Sequence, residues 1–458
     1  MEARPVATAQ AELARFITDT SCSGLPDAFR EKLKLSLLDS LGCGLYGANT
    51  AWAKIVSGYA ARQGTGASRI WGAAGAAPVP PAAAVLANAT MIHSFEIDDV
   101  HFGSRSHPGS VTIPVAFAIA EDQMISGAEL LAGLAVGYET LVRVGACQGV
   151  SSFSRGWHPT GTAGVFGAAA TSAKLLGLPR QTIIHALGIA GTMPCGLMAA
   201  QYGAMVKRFY AGHAAWAGYT AAMLANDGLT GIEDIFEADY GGYPKALSDQ
   251  VMVDAIGKEL GTVFEAARIG YKLFSCVGTN HTALQAVTDL MCKHQLKANQ
   301  IQRIRIQTSE YQVLHSGWPY KPGTIMAAQM NMQYCVAVLL LQGSVFVDQF
   351  NEEFLADPEI LALAARIDVV TDADQKHNDR KAKVRVSLND GTVYEGSCSA
   401  ARGHPDNPPG WKEIEEKFRI LASKTLPDQK CDRIVELIAN IEEVDDLSEL
   451  ASLMVAEA

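Results

Sequence analysis

Two short segments pair a histidine with a proline at what read as helix entrances: Ser106-His107-Pro108-Gly109-Ser110 and Gly156-Trp157-His158-Pro159-Thr160, each followed by an Ala-rich apolar run. A helix N-terminus presents free N–H groups and partial positive charge, so it attracts carboxylates and disfavours imidazolium. A histidine placed there is expected to be neutral near pH 7 and able to accept a proton. The segment from His93 through Glu96-Ile97-Asp98-Asp99 and His101 to His107 gathers three carboxylates and three histidines, in a chain with only 11 histidines. Asp and His suit zinc or iron. The spacing matches no standard ligand set, however, and adjacent Asp98 and Asp99 cannot both face one ion from regular structure, so no metal is expected. A solvated acidic loop ahead of a helix is the plainer alternative.

Cations are the second requirement for carboxylate chemistry. Lys207-Arg208 ends a long uncharged stretch and precedes Phe209-Tyr210-Ala211-Gly212-His213. A lysine emerging from an apolar wall can anchor a carboxylate, or donate a proton if desolvation lowers its pKa; equally, it can cap a buried helix. Lys272 lies in Tyr271-Lys272-Leu273-Phe274-Ser275-Cys276 ahead of His281, and Tyr334 ends Gln329-Met330-Asn331-Met332-Gln333-Tyr334. Unaided, each reads as ordinary. Cys276 lacks an evident activating neighbour and is not expected to be a nucleophile.

The elements that must position these groups fall into two kinds. From Leu25 to Gly47, apolar Phe29, Leu33, Leu37, Leu41 and Leu45 recur every four residues, with Pro26 where a first turn tolerates it. Helical patterns follow at 80–95, 110–145, 162–177, 181–193 and 210–228. After Gly270 the pattern changes. Ile304 and Ile306 alternate with Arg303, Arg305 and Gln307, and Ala382, Val384, Val386 and Leu388 alternate with polar residues, which is strand patterning. Asn389-Asp390-Gly391-Thr392 supplies a hairpin turn towards Val393 and Glu395. Helical patterns at 280–294, 326–342 and 350–365 lie between the strands, and helix returns at 410–455. The expectation is a mainly α chain: a large helical domain over 1–266, a smaller antiparallel α+β domain over 267–404, and a C-terminal helical segment, 405–458, packing back on the first.

Composition excludes several functions. A net charge of -11 argues against nucleic acid or an anionic membrane as partner, since both need a basic face. Nine scattered cysteines without a CxxC pair suit a reducing compartment. The first residues lack a basic start and apolar stretch, so a cytoplasmic location is expected. Gln181–Val206 carries no Asp, Glu, Lys or Arg, yet His185, Pro194, Gln201 and its glycines keep it below a spanning helix, and a buried helix broken near Pro194 is expected. GxxxxGK[ST], HExxH, GxSxG and a strand-GxGxxG-helix unit are all absent, which removes kinases, zincins, α/β-hydrolases and Rossmann enzymes.

Taken in order, Glu96-Ile97-Asp98-Asp99, His107-Pro108-Gly109, Gly156-Trp157-His158-Pro159-Thr160 and Lys207 before Gly212-His213-Ala214-Ala215 resemble the MmgE/PrpD family; Leu38-Asp39-Ser40-Leu41-Gly42 and Arg402-Gly403-His404-Pro405-Asp406-Asn407-Pro408 look like further family features. The resemblance implies a large helical domain built from both chain ends, a smaller α+β lid, a homodimer, a site between the domains, and no metal or organic cofactor. It points to His107, His158, Lys207, Lys272 and Tyr334 as catalytic, with Glu96, Asp99, His101, Arg208 and Thr160 as candidate substrate-binding residues. Departures are Glu96 where the family commonly has Asp, Lys207-Arg208 for Lys-Pro, and Phe274-Ser275-Cys276 for Pro-x-Cys. The implied activity is that of a lyase on a small di- or tricarboxylate, resembling 2-methylcitrate dehydratase or cis-aconitate decarboxylase. An epimerase of an iminodisuccinate-like dicarboxylate and a catalytically silent carboxylate binder are the alternatives. All three enzyme reactions move a proton at a carbon next to a carboxylate, giving His107 the acid/base role, Lys207 and Lys272 the clamp or proton-donor role, and His158 and Tyr334 orientation and relay.

Overall fold

Pro26 leads into the helix Asp27–Gly47, where Phe29, Leu33, Leu37, Leu41 and Leu45 are all buried, as their four-residue spacing predicts. The computed structural model describes residues 8–377 and 379–456. Pro81–Ile92, Gly109–Asp122 and Gly127–Cys147 pack on this helix, and Pro159–Leu175, Arg180–Ala190 and Val206–Asn226 pack on those and on one another. Small residues let these helices approach closely: a Cβ at Gly218 would lie 2.2 Å from the Val165 carbonyl oxygen. Only glycine fits there.

The single helical stretch expected at 110–145 is two helices. Gln123 leaves helical geometry, and Ser126 opens the second helix with a capping box to Glu129. The uncharged segment 181–206 also differs from expectation. Its helix ends at Ala190, and the chain then runs through loop and a short turn, Met198–Tyr202, exposing Leu197, Tyr202 and Met205. Among the described residues, the one helix long and apolar enough to cross a membrane is Gly127–Cys147, and 94% of its apolar stretch is buried inside the protein.

The smaller α+β part holds a four-stranded sheet of β3 (Ile301–Thr308), β4 (Ile367–Thr371), β5 (Ala382–Leu388) and β6 (Val393–Cys398), in the order β4-β3-β5-β6. Strands β3, β5 and β6 are antiparallel, with Gly391 at φ 91° in the tip of the β5–β6 hairpin. Strand β4 runs parallel to β3, so the sheet is mixed and not purely antiparallel. The helix His281–His294 covers β5 and β6, and Met332–Gln342 lies against β4. Expected helices at 326–342 and 350–365 are each broken by a capping side chain, Asn331 and Asp357.

Two links carry the positioning of the site. A two-residue ladder pairs β1 (Val100–His101) with β2 (Ile269–Gly270), tying the acidic loop to the chain just before Lys272. From the C-terminal end, the helix Trp411–Ala422 packs on Asp27–Gly47, where a Cβ at Gly42 would meet Phe418 at 3.1 Å. Its Lys417 Nζ donates to Asp39 Oδ1 and to the Ile97 carbonyl, both at 2.6 Å, and so fixes the loop from below.

Candidate active site

His107, His158, Lys207, Lys272 and Glu96 line one cleft enclosing about 590 Å³, part of it open to solvent. The first His-Pro pair stands at the entrance of Gly109–Asp122 and the second at that of Pro159–Leu175. The His107 backbone N–H donates to Thr160 Oγ1 at 3.1 Å, so one entrance holds the other. Thr160 itself is fully buried beneath His107.

Glu96 is the electrostatic centre. It occupies the left-handed region at φ 54°, and its carboxylate is fully desolvated. Lys207 and Arg208 both donate to Oε1, Arg208 at 2.7 Å, while Lys272 donates to Oε2 at 3.0 Å. Burial alone would raise its pKa, but the three cations outweigh burial and hold it well below the usual carboxylate range. Lys207 is in turn pulled down to about 8, chiefly by burial.

Asp98 and Asp99 have opposite fates. Asp98 Oδ2 accepts from His93 Nδ1 at 2.7 Å and lies 3.3 Å from His107 Nδ1; its Oδ1 is 3.7 Å from Lys272 Nζ. Burial opposes its ionisation, but the two imidazoles and Lys272 outweigh burial and lower its pKa. Asp99 points away into the helix entrance. Its carboxyl accepts from Gly109 N–H at 3.1 Å and from Tyr138 Oη at 2.8 Å. Burial, with Asp39 and Asp98 nearby, pushes it up to about 8, so it is protonated at neutral pH.

His107 Nδ1 also donates to the Asp99 carbonyl oxygen at 2.6 Å, which fixes the tautomer and leaves Nε2 with a free lone pair. The ring of His93 lies between those of His107 and His158, with centroids 4.9 and 5.5 Å away. All three imidazoles are held neutral mainly by burial, His107 down to about 3. The cause is desolvation more than the helix field expected from sequence. His93, Asp98 and His107 form the group among the described residues whose donor atoms, within 4.8 Å of one another, could hold a metal ion. As placed, both rings direct protons at Asp98 and Asp99, and an ammonium stands beside Asp98. The arrangement is a hydrogen-bonded relay more than a dication site.

Five nominated residues, Thr160 beneath His107 among them, lie outside the cleft. Asp99 closes the first turn of a helix. His101 is buried in its own turn, with Nδ1 on Ser104 Oγ at 2.9 Å. Arg208 stands behind Glu96 and donates to Gln329 Oε1 at 3.1 Å. Tyr334 is buried against Tyr320 and Phe350, its hydroxyl donating to the Gln349 carbonyl at 2.8 Å, because the Asn331 cap starts a helix that turns this ring into the core. Conversely, His93 was overlooked as a site residue although it opens the acidic segment. Arg105, His315 and Arg380 also line the cleft, with no sequence signal to mark them. The Cys276 thiol is buried and its pKa raised, so it is no nucleophile.

Residues 11–253 match the MmgE/PrpD N-terminal domain and residues 274–443 the MmgE/PrpD C-terminal domain. The chain belongs to the MmgE/PrpD family. A cis-aconitate decarboxylase-like protein of Aspergillus oryzae is 34% identical, over 100% of this chain and 99% of the relative. A cis-aconitate decarboxylase of Aspergillus terreus is 30% identical over 97% and 95%, and one of Homo sapiens 27% identical over 94% and 91%. This MmgE/PrpD protein is an enzyme of the lyase class, and its mainly α fold with a smaller α+β part is that of the family.

Glu96→Gln removes the shared counter-charge of three buried cations. It is expected to lower unfolding stability by about 3–5 kcal/mol in chemical denaturation, the range for breaking a buried ionic network; a loss under 1 kcal/mol contradicts this account. The adjacent acids separate cleanly as well. Asp99→Asn keeps an acceptor for Gly109 and Tyr138 and should melt within a few degrees of wild type at pH 7, whereas Asp98→Asn, which deprives two imidazoles of their carboxylate, should fold but lose at least tenfold in turnover.

Proposed function

We propose that this lyase removes CO2 from a small unsaturated tricarboxylate of the cis-aconitate type, using its own side chains and no metal or organic cofactor. The observation that carries the reading is His107: its Nδ1 proton is fixed on the Asp99 carbonyl and Asp98, and its free Nε2 shares the cleft with two lysines. Full-length similarity to proteins named cis-aconitate decarboxylase supports the choice of reaction.

Lys207 and Lys272 hold substrate carboxylates with the N–H donors not used on Glu96. The negative charge of the substrate reverses the balance at His107, which burial keeps neutral in the free protein. A proton therefore enters on Nε2 as the trianion binds, with Asp98 stabilising the imidazolium. His107 then delivers it to a carbon of the substrate double bond. The carbon–carbon bond to a departing carboxylate breaks, its electron pair forms the new double bond, and CO2 leaves with a dianionic product. His158 and His93 pack the ring in place. A positioned acid of this kind contributes typically 10²- to 10⁴-fold.

With cis-aconitate in D2O, the expected result is release of CO2 with one deuterium in each product molecule, unchanged by chelator, and a 10²- to 10⁴-fold lower kcat in His107→Ala. Loss of water from 2-methylcitrate without CO2, or deuterium exchange with no net loss, would replace this reading by a dehydratase or an epimerase. The pH profile offers a separate check. Lys207 must be charged to bind an anion, so kcat/KM should fall as pH rises through about 8. Lys207→Arg, whose guanidinium stays charged, should move that limb above pH 9; an unmoved limb assigns it elsewhere.

A further inference from the structure

The cleft contains two cations that the mechanism above leaves unused. Arg105 and Arg380 both line it, together with His107 and Lys272. Lys207, Arg208 and Lys272 share the carboxylate of Glu96. Among the described residues, by contrast, no hydrogen bond or ion pair engages Arg105 or Arg380, and neither has an unprinted partner. Arg105 sits at φ 56° in the turn between β1 and His107, a conformation that a non-glycine residue adopts at a cost, and the turn is thereby set by the same segment that places His107. Arg380 comes from the other side of the cleft, just before β5, with its guanidinium over the Phe102 ring at 4.9 Å and beside Gly278. The aromatic face supports the flat guanidinium from beneath and leaves its N–H edges available. Burial draws both guanidinium pKa values down against the opposing pull of Tyr311, and Arg105 depresses Arg380 further.

Two like charges in a partly desolvated cleft repel and are costly unless an anion joins them. The cleft and its back wall hold five cations, Lys207, Arg208, Lys272, Arg105 and Arg380, against two ionised carboxylates, Glu96 and Asp98. The surplus of positive charge matches a tricarboxylate and exceeds what a dicarboxylate can neutralise. We propose that Arg105 and Arg380 together grip one carboxylate of the substrate, the one the lysines do not hold, and so select tricarboxylates over dicarboxylates. This assignment rests on the decarboxylase reading of the cleft. Guanidinium forks suit the task because each can meet a carboxylate with two parallel N–H donors.

The test is calorimetric titration with propane-1,2,3-tricarboxylate, an unreactive saturated analogue, into wild type, Arg105→Gln, Arg380→Gln and Arg380→Lys, with kinetics on cis-aconitate alongside. Each Gln variant should bind the analogue ten- to a hundredfold more weakly and raise KM similarly, with kcat within threefold of wild type and a ligand-free melting temperature equal or higher because a repulsion is gone. Arg380→Lys should recover only part of the affinity, since an ammonium lacks the fork. Gln variants that bind within twofold of wild type, or that lose kcat with KM unchanged, overturn the assignment while leaving the decarboxylase reading intact. If wild type neither binds the analogue nor releases CO2 from cis-aconitate, the functional reading fails and this assignment falls with it.

Discussion

One buried carboxylate fastens the two parts of this protein at the point where chemistry is proposed. Glu96 draws Lys207 and Arg208 from the start of one long helix and Lys272 from the chain that follows β2. None of the three would tolerate the interior alone, since a desolvated cation costs several kcal/mol. One shared acceptor lets them crowd together while offsetting only one of their three charges, so the cleft keeps a net positive field. The left-handed backbone at Glu96, φ 54°, belongs to the same arrangement. Arg208, next to Lys207 in sequence, is the third cation that reaches this carboxylate.

The neighbouring acids show how one loop serves two purposes. Asp98 sits in a bend and Asp99 in the irregular residue just ahead of β1. Asp98 faces the imidazoles and Asp99 faces the helix entrance, and their environments drive their pKa values apart. That separation is what a site needs when one acid must remain charged and its neighbour must not. Asp99, protonated at neutral pH, adds no negative charge to the cleft, yet it closes the helix that begins just after His107. Its backbone carbonyl also sets the tautomer of His107, so the local structural role and the proposed chemical one meet in a single residue.

Much of this was legible in the sequence because the decisive side chains stand at helix entrances, which Pro and small residues announce. His107 and His158 were found that way, Lys207 by the uncharged stretch it ends and Lys272 only through the family resemblance, and all four share the cleft. Tyr334 was not separable from them by pattern alone: only the Asn331 cap three residues earlier reveals that its helix begins there and turns the ring into the core. The Ser126–Glu129 box that divides the expected helix at 110–145 was readable, since Glu121-Asp122-Gln123 interrupts the apolar run just ahead of it. Strand β4 is five residues long and shows no clean alternation, so its parallel pairing was hidden. The Lys417–Asp39 pair and the β1–β2 ladder join positions far apart in the chain, and no local rule predicts such contacts. Arg105 and Arg380 fall in the same class, since a cation becomes informative only when its missing partner can be seen.

The neutral histidines also bear on how a turnover would end. A trianion that arrives with one proton brings two net negative charges into the cleft, and a departing CO2 leaves a dianion there. The total charge is thus unchanged across the chemical step, and the lysines need not readjust while bonds change. What changes is the imidazolium, which returns to the uncharged state that burial favours in His107. The desolvation that makes this ring a poor base in the free protein therefore makes it a strong acid once charged, and it drives the proton forward onto carbon. Such a site works because its ground state disfavours the charge that only the bound substrate can stabilise.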